Sequence, residues 1–350
     1  MDSTPPQPDL DWCHDAVQGV SRTFAVTVEV LEEPMASRIC LGYLLCRVAD
    51  TVEDAGHIPP AEQVRLLERY GAAIDPETTA TMGGFRDAVE EWVPAAAERS
   101  DDWQVVAEAE TVWATFTDQP EPIQQAVCPP VREMVDGMAA FIDRYAARGG
   151  LRISDRTELD RYCYYAAGTV GTLITNLLTQ EEVGDHRAET LYDTAEEFGL
   201  FLQLVNVSKD VYDDYTEENN VYLPAEWLAE AGVDQERVLD PANRSATAAV
   251  VRRTAAHARR YLDDAARYLE AMPLTAGNTV AAWLVPYLLG VGTLREVERR
   301  PADALTETGV KVSRPEVFAV IDAARTAGRD SIGELRERIA REPYHETVEQ

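Results

Sequence analysis

Apolar residues recur along this chain at intervals of three and four, and almost nowhere in strict alternation, which is the spacing of helices packed on one face. The pattern predicts helices over residues 20–33, 35–55, 60–74, 82–98, 103–117, 121–148, 156–179, 187–217, 236–270, 277–298 and 314–340. Turn-forming stretches fall between them at Gly56–Pro60, Asp75–Glu77, Gly149–Gly150, Gly184–Asp185, Glu217–Pro224 and Pro273–Gly277, where glycine, proline and short polar side chains favour other backbone conformations. No break is long enough for a linker, and no internal repeat is present. The expectation is an all-α chain with one domain over 13–340, flanked by mobile segments at 1–12 and 341–350.

Two of these helices carry polar stripes. In the run from Ile39 to Asp54, Asp50 and Asp54 are four apart and share a face with Arg47 and Tyr43. Spacing alone says little, since chance gives about eleven acidic pairs at that interval in so acidic a chain. A solvated charged face is the simpler reading, but the setting opposes it: between Ile39 and Ala49 the one charge is Arg47. So apolar a helix packs inside, where carboxylates need a cation or a cavity. In the run from Phe201 to Asp214, the residues Gln203, Asn206, Asp210 and Asp214 form a stripe with steps of 3, 4 and 4, and most other positions are apolar. Asp213 falls off the stripe and is expected to face solvent. Hard oxygen donors in this arrangement suit Mg²⁺, which shares itself between carboxylates and a substrate's phosphate oxygens.

Two further stretches are less decisive. Tyr162-Cys-Tyr-Tyr-Ala-Ala-Gly-Thr-Val-Gly171 places small residues inside a helix, at a cost of about 0.5–1 kcal/mol for each glycine. Close helix packing is one reading. The other is an apolar channel with Tyr162 and Tyr165 at its rim and Ala166 in its wall. Ser21-Arg22-Thr23-Phe24 has the form of a helix start, with an N-terminus open to an anion.

The charge balance excludes some partners. With 62 acidic residues against 32 basic ones the net charge is −30, and Lys209 and Lys311 are the only lysines. Such a field repels nucleic acid and anionic membrane surfaces. A diphosphate substrate would also be repelled unless a metal were interposed, as bridge and Lewis acid. Adaptation to molar salt, where the screening length is about 3 Å, and GC-rich codon usage both account for the composition, and the halophilic reading is preferred. The acidic, proline-rich start lacks the form of a signal peptide, and the apolar run from Val280 to Gly292 is short for a membrane span. Cys13, Cys40, Cys46, Cys128 and Cys163 show no CxxC spacing and read as buried thiols in a reducing, cytoplasmic setting.

Taken together, Ser21-Arg-Thr-Phe24, Tyr43 through Asp54 with its Asp-Thr-Val-Glu-Asp, Tyr162 through Gly171, and Phe201-Leu-Gln with Asn206, Asp210 and Asp214 before Tyr222-Leu-Pro resemble the squalene/phytoene synthase family over residues 10–325. The resemblance implies the α-helical isoprenoid synthase fold with a central cavity. It implies Mg²⁺ held by Asp50, Asp54, Asp210 and Asp214, and diphosphate bound by Arg22, Arg47 and Lys209. Ser21, Phe24, Tyr165, Ala166, Gln203 and Asn206 would contact substrate, while Tyr43, Tyr162 and Arg47 would act in catalysis. The first and last motifs look more like squalene synthases, which join two farnesyl diphosphates through presqualene diphosphate and reduce the product with NADPH. The third looks more like phytoene synthases, which use geranylgeranyl diphosphate without reduction, and dehydrosqualene synthesis is a related alternative. Two departures stand out: Lys209 replaces the usual arginine, and Asn219-Asn220 replace a Gly-Arg pair. A non-catalytic helical assembly factor is the alternative of another class, and retention of all four aspartates argues against it. A monomer is expected, with at most transient membrane contact for product release.

Overall fold

The three-and-four spacing is realised as a bundle of helices wrapped around one cavity. The computed structural model describes residues 8–348, excluding the side chains of residues 22, 23, 347 and 348. Helices α1 (Leu10–Val20), α2 (Arg22–Glu29) and α3 (Met35–Glu53) are followed by α4 (Pro60–Ala73), α5 (Met82–Val89), α6 (Asp101–Ala107) and α7 (Ala109–Thr117). The long α8 (Glu121–Tyr145) leads through a turn to α9 (Arg156–Cys163), a π-helical segment at Tyr164–Gly168, and α10 (Thr169–Leu178). Then come α11 (Asp185–Lys209), α12 (Val211–Glu217), α13 (Ala225–Glu230), α14 (Arg244–Ala258), α15 (Leu262–Ala271) and α16 (Val280–Arg299). Helices α17 (Arg314–Thr326), α18 (Ile332–Arg341) and α19 (Tyr344–Val348) close the chain. No strand occurs among the described residues, only one isolated parallel bridge between Arg152 and Val221.

The helices depart from the sequence pattern where a local group competes with the ladder. Helix α1 occupies residues with almost no predicted helix, while the predicted 20–33 helix starts at Arg22, because Ser21 is extended and its Oγ accepts a hydrogen bond from Phe24 N at 3.2 Å, and stops at Glu29. The predicted 82–98 helix stops at Val89, ahead of Pro94. The predicted 187–217 helix divides at Asp210, and α13 occupies part of a stretch with no predicted helix. Of the terminal segments, residues 1–7 and 349–350 lie outside the described ones, while Leu10 and Tyr344 each begin a helix.

Helix α11 is the central strut, packed on α10, α14, α15, α16 and the π segment, and α3 packs on α6, α7 and α8. Apolar α16 is longer than the run read from the sequence and has the length and composition of a membrane span, but 89% of its most apolar window is buried in the bundle. A Cβ on Gly171 would lie 2.0 Å from the carbonyl oxygen of Ala195, and one on Gly199 would lie 2.2 Å from that of Ala167. Glycine at both positions lets α11 meet α10 and the π segment backbone to backbone. The small-residue stretch thus divides its work: Gly171 serves packing, whereas Ala166 and Val170 line the cavity.

Candidate active site

The last turn of α3 and the junction of α11 with α12 deliver carboxylates to the same end of a cavity of about 470 Å³. Its wall includes Asp50, Asp54, Asp210, Asp214 and Glu218 together with Arg47, Lys209, Gln203 and Asn206. Farther along the antiparallel α10 and α11 the wall is apolar, with Val170, Ile174, Phe198 and Leu202, and Trp283 and Pro286 of α16 complete it. One polar end and one greasy end suit a ligand with a charged head and a hydrocarbon tail.

Arg47 organises the α3 side. Its Nη1 donates to Asp50 Oδ2 and its Nη2 to Tyr43 Oη, both at 2.6 Å, and its Nε lies 3.7 Å from Asp102 Oδ1. Burial works against the guanidinium charge, but Asp50, Tyr43 and Asp102 outweigh it and raise the pKa. Phe24 of α2 stacks on the Tyr43 ring with centroids 3.9 Å apart. On the opposite side, Lys209 Nζ bonds to Asp210 Oδ2. Behind the carboxylates, Tyr162 Oη donates to Glu53 Oε1 at 3.2 Å and lies 3.0 Å from Tyr222 Oη. Asn220 Nδ2 donates to Tyr222 Oη at 3.1 Å and to Glu218 Oε2 at 3.2 Å.

The carboxylates disturb one another. Burial, then Asp50 and Glu218, raise Asp54 well above the carboxylate range. Burial, then Glu218 and Asp210, raise Asp214 in the same way. Burial, then Asp50 and Glu218, raise Glu53. Glu218 is pushed up to about 7, chiefly by burial, with Asp50, Glu217 and Asp210 adding to it against the Asn220 hydrogen bond. Crowded acids with raised pKa values are what a cation site looks like before a cation shares the charge. Among the described residues no three Cys, His, Asp or Glu groups converge tightly enough to hold a metal alone. The oxygen donors of Asp50, Asp54, Asp210 and Asp214 are of the kind Mg²⁺ takes, one or two carboxylates per centre with water and phosphate oxygens completing its shell.

The cavity brings together Phe24, Tyr43, Arg47, Asp50, Asp54, Tyr162, Ala166, Gln203, Asn206, Lys209, Asp210 and Asp214. Ser21 and Tyr165 are not in its wall. Ser21 is occupied as the cap of α2, and the Tyr165 ring sits edge-on to Phe141 of α8, with centroids 6.3 Å apart. The side chain of Arg22 lies outside the described residues. Asp213 is exposed, off the stripe. Sequence reasoning passed over Glu53, Asp102, Glu218 and the role of Tyr222. Glu218 was within reach of it, because a further step of four from Asp214 extends the polar stripe. The Asn219-Asn220 loop is tied down: Arg152 Nη2 donates to Asn219 Oδ1 at 2.9 Å, and Leu151 N donates to Asn220 Oδ1 at 2.7 Å.

Known proteins resemble this chain in sequence and in fold. The chain is 26% identical to Botryococcus squalene synthase from Botryococcus braunii over 82% of its own length and 57% of that protein's. It is 26% identical to the squalene synthase of Eremothecium gossypii over 93% of its length, covering 70% of the relative, and 24% identical to that of Schizosaccharomyces pombe over 88%, covering 64%. The chain thus spans roughly three fifths to two thirds of the length of these relatives. The solved complex of TcSQS with the ligand BPH1237 superposes with a TM-score of 0.77 at 23% identity, covering 97% of this chain and 95% of that one. A dehydrosqualene synthase in complex with ligand gives a TM-score of 0.60 at 20% identity, with 91% and 95% covered. The fold is therefore the one shared by these helical synthases. A sequence model of squalene/phytoene synthases matches residues 17–316, and with its two facing aspartate stripes the chain belongs to the squalene/phytoene synthase family, whose members are prenyltransferases.

Proposed function

We propose that this chain joins two molecules of farnesyl diphosphate head to head, in the manner of a squalene synthase. The observation that carries the proposal is the pairing, across one cavity, of the Asp50–Asp54 and Asp210–Asp214 carboxylates with Arg47 and Lys209 at one end and apolar side chains at the other. Bound Mg²⁺ would neutralise the diphosphate and polarise its bond to C1. Asp50, Asp54, Asp210 and Asp214 would hold the metal, with Gln203 and Asn206 beside them. Arg47 exchanges part of its bond to Asp50 for diphosphate oxygens, and Lys209 does the same from Asp210.

Cleavage of the C1–O bond gives an allylic cation and diphosphate. The C2=C3 double bond of the second molecule attacks that C1, and loss of a proton closes a cyclopropane ring. Two C15 diphosphates thereby yield presqualene diphosphate, one diphosphate and one proton. Tyr43 is held by Arg47, and Tyr162 by Glu53 and Tyr222, which fixes both rings in the cavity wall. Burial comes first among the causes that raise both phenols, which stay neutral.

The names of the relatives support squalene as the end product, which requires NADPH. The described residues at the cavity mouth do not fit that cofactor. Asn219 and Asn220, standing where the family has a Gly-Arg pair, offer no cation and are committed to their own loop. A cytoplasmic setting belongs to the same proposal, supported by five buried, unpaired cysteines.

The test is incubation of the purified chain with C15 and C20 diphosphates and Mg²⁺, with and without NADPH. Faster use of C15 with a C30 product supports the proposal. Faster use of C20, unaffected by NADPH, would make the chain a phytoene synthase, and turnover of neither would favour the assembly-factor alternative.

A further inference from the structure

A second cavity, of about 770 Å³, lies on the far side of α9 from the first. Tyr162 of α9 lines the carboxylate cavity, whereas Arg156 and Arg161 of the same helix line this one with Arg144, Arg253, Arg260 and His257. Five arginines converging on one concavity is the reverse of what a chain with 62 acidic and 32 basic residues leads one to expect.

The carboxylates in this wall, Asp155, Glu158 and Glu226, are already engaged. Asp155 Oδ1 caps α9 by accepting from Glu158 N at 2.9 Å, and Glu226 Oε1 accepts from Arg156 N at 3.0 Å. Glu158 accepts from Tyr145 Oη and Ser154 N, both at 2.6 Å, and pairs with Arg144 at 2.8 Å. Arg253 pairs with Glu230 at 2.6 Å, Arg156 stands 3.9 Å from Asp160, and His257 Nε2 lies 2.5 Å from the other oxygen of Asp160. Arg161 and Arg260 make no ion pair or hydrogen bond among the described residues. Arg161 and Arg260 are exposed and unpaired on the same concavity, beside Arg156, which stands 3.9 Å from its nearest carboxylate.

We propose that this cavity binds a diphosphate or longer phosphate chain through Arg161, Arg260 and Arg156, whose planar forks match phosphate oxygens. Recognition stops at the phosphates. The one large aromatic side chain in the wall, Trp227, is 4% exposed, and the Arg253 guanidinium lies 4.5 Å over its ring, so no open face remains on which a base could stack. The site does not depend on the proposed reaction, although diphosphate is the ion that reaction releases.

The test is calorimetric titration of the full chain with inorganic pyrophosphate, tripolyphosphate and ADP in chelator, where without Mg²⁺ the carboxylate cavity repels all three. Saturable one-to-one binding is expected, with ADP within about threefold of pyrophosphate. Affinity should drop at least about tenfold in R161A/R260A and return only in part in R161K/R260K, which keeps the charge but loses the fork. Circular dichroism checks that each variant is folded. Absence of saturable binding at millimolar pyrophosphate, or equal affinity in the wild type and R161A/R260A, would overturn the site. ADP binding far tighter than pyrophosphate would overturn recognition by phosphate alone.

Discussion

Arg47 Nη1 stands 2.6 Å from Asp50 Oδ2, one turn before it on the same helix, so the chain itself supplies the first counter-ion of its carboxylate cluster. The pair holds Asp50 at the cavity wall and keeps the Arg47 guanidinium at the polar end of the cavity.

Asp50→Asn and Asp210→Asn should each lower condensation turnover by at least ~10³, because oriented contact between metal and diphosphate supplies much of the barrier reduction. The fold should survive, since both side chains face the cavity. Turnover with labelled farnesyl diphosphate at saturating Mg²⁺ is the measurement, and a near-wild-type rate in either variant removes the metal assignment.

Glu218 is raised to about 7, and Asp54, Asp214 and Glu53 are raised with it. Folded groups raised above their unfolded values bind more protons than the unfolded chain, so stability falls as pH rises from the ordinary carboxylate range through about 7. Without Mg²⁺ the melting temperature should be lower at pH 8 than at pH 5.5, other groups being equal. Mg²⁺ with pyrophosphate should raise it more at the higher pH, where the ligands are ionised. A Mg²⁺ effect independent of pH would contradict the shared field.

The surplus of 30 negative charges predicts self-repulsion that salt relieves. Melting temperature should rise between 0.1 and about 3 M KCl, as the screening length shrinks from about 10 Å toward 3 Å. A flat or falling curve would leave codon usage as the account of the composition.

Gly171→Ala should destabilise the chain by about 1–3 kcal/mol or more. The new methyl group would meet the carbonyl of Ala195 at 2.0 Å, and backbone cannot swing aside as a side-chain tip can. Denaturant unfolding measures the loss. Wild-type stability would show that α10 and α11 are not packed this closely.

The helical class and the two polar stripes were legible in the sequence because each rests on periodicity, whereas the cavity was an implication of the family resemblance. The steps from Gln203 to Asp214 place four side chains on one face whatever the rest of the chain does. What stayed hidden depends on long-range partners. The carbonyl of Ala195 decides what Gly171 is for, Phe141 draws Tyr165 out of the expected rim, and Asp102 reaches Arg47 from α6, which follows α3 by some fifty residues. Ser21 caps α2 as its own motif suggested, whereas α1 ahead of it was missed.

The π turn at Tyr164–Gly168 sets the aim of the wall that follows it. In a regular α-helix, residues four apart overshoot a full revolution by about 40°, so a line drawn through every fourth side chain winds off to one side. Tyr162, Ala166, Val170 and Ile174 keep to one cavity over three such steps. The wider turn between Tyr162 and Val170 holds the winding back, acting as a phase correction in the middle of the helix. Deleting one residue there would rotate everything beyond it by roughly 100°. Val170 and Ile174 would leave the cavity, and Gly171 would leave the one line along which α11 can approach.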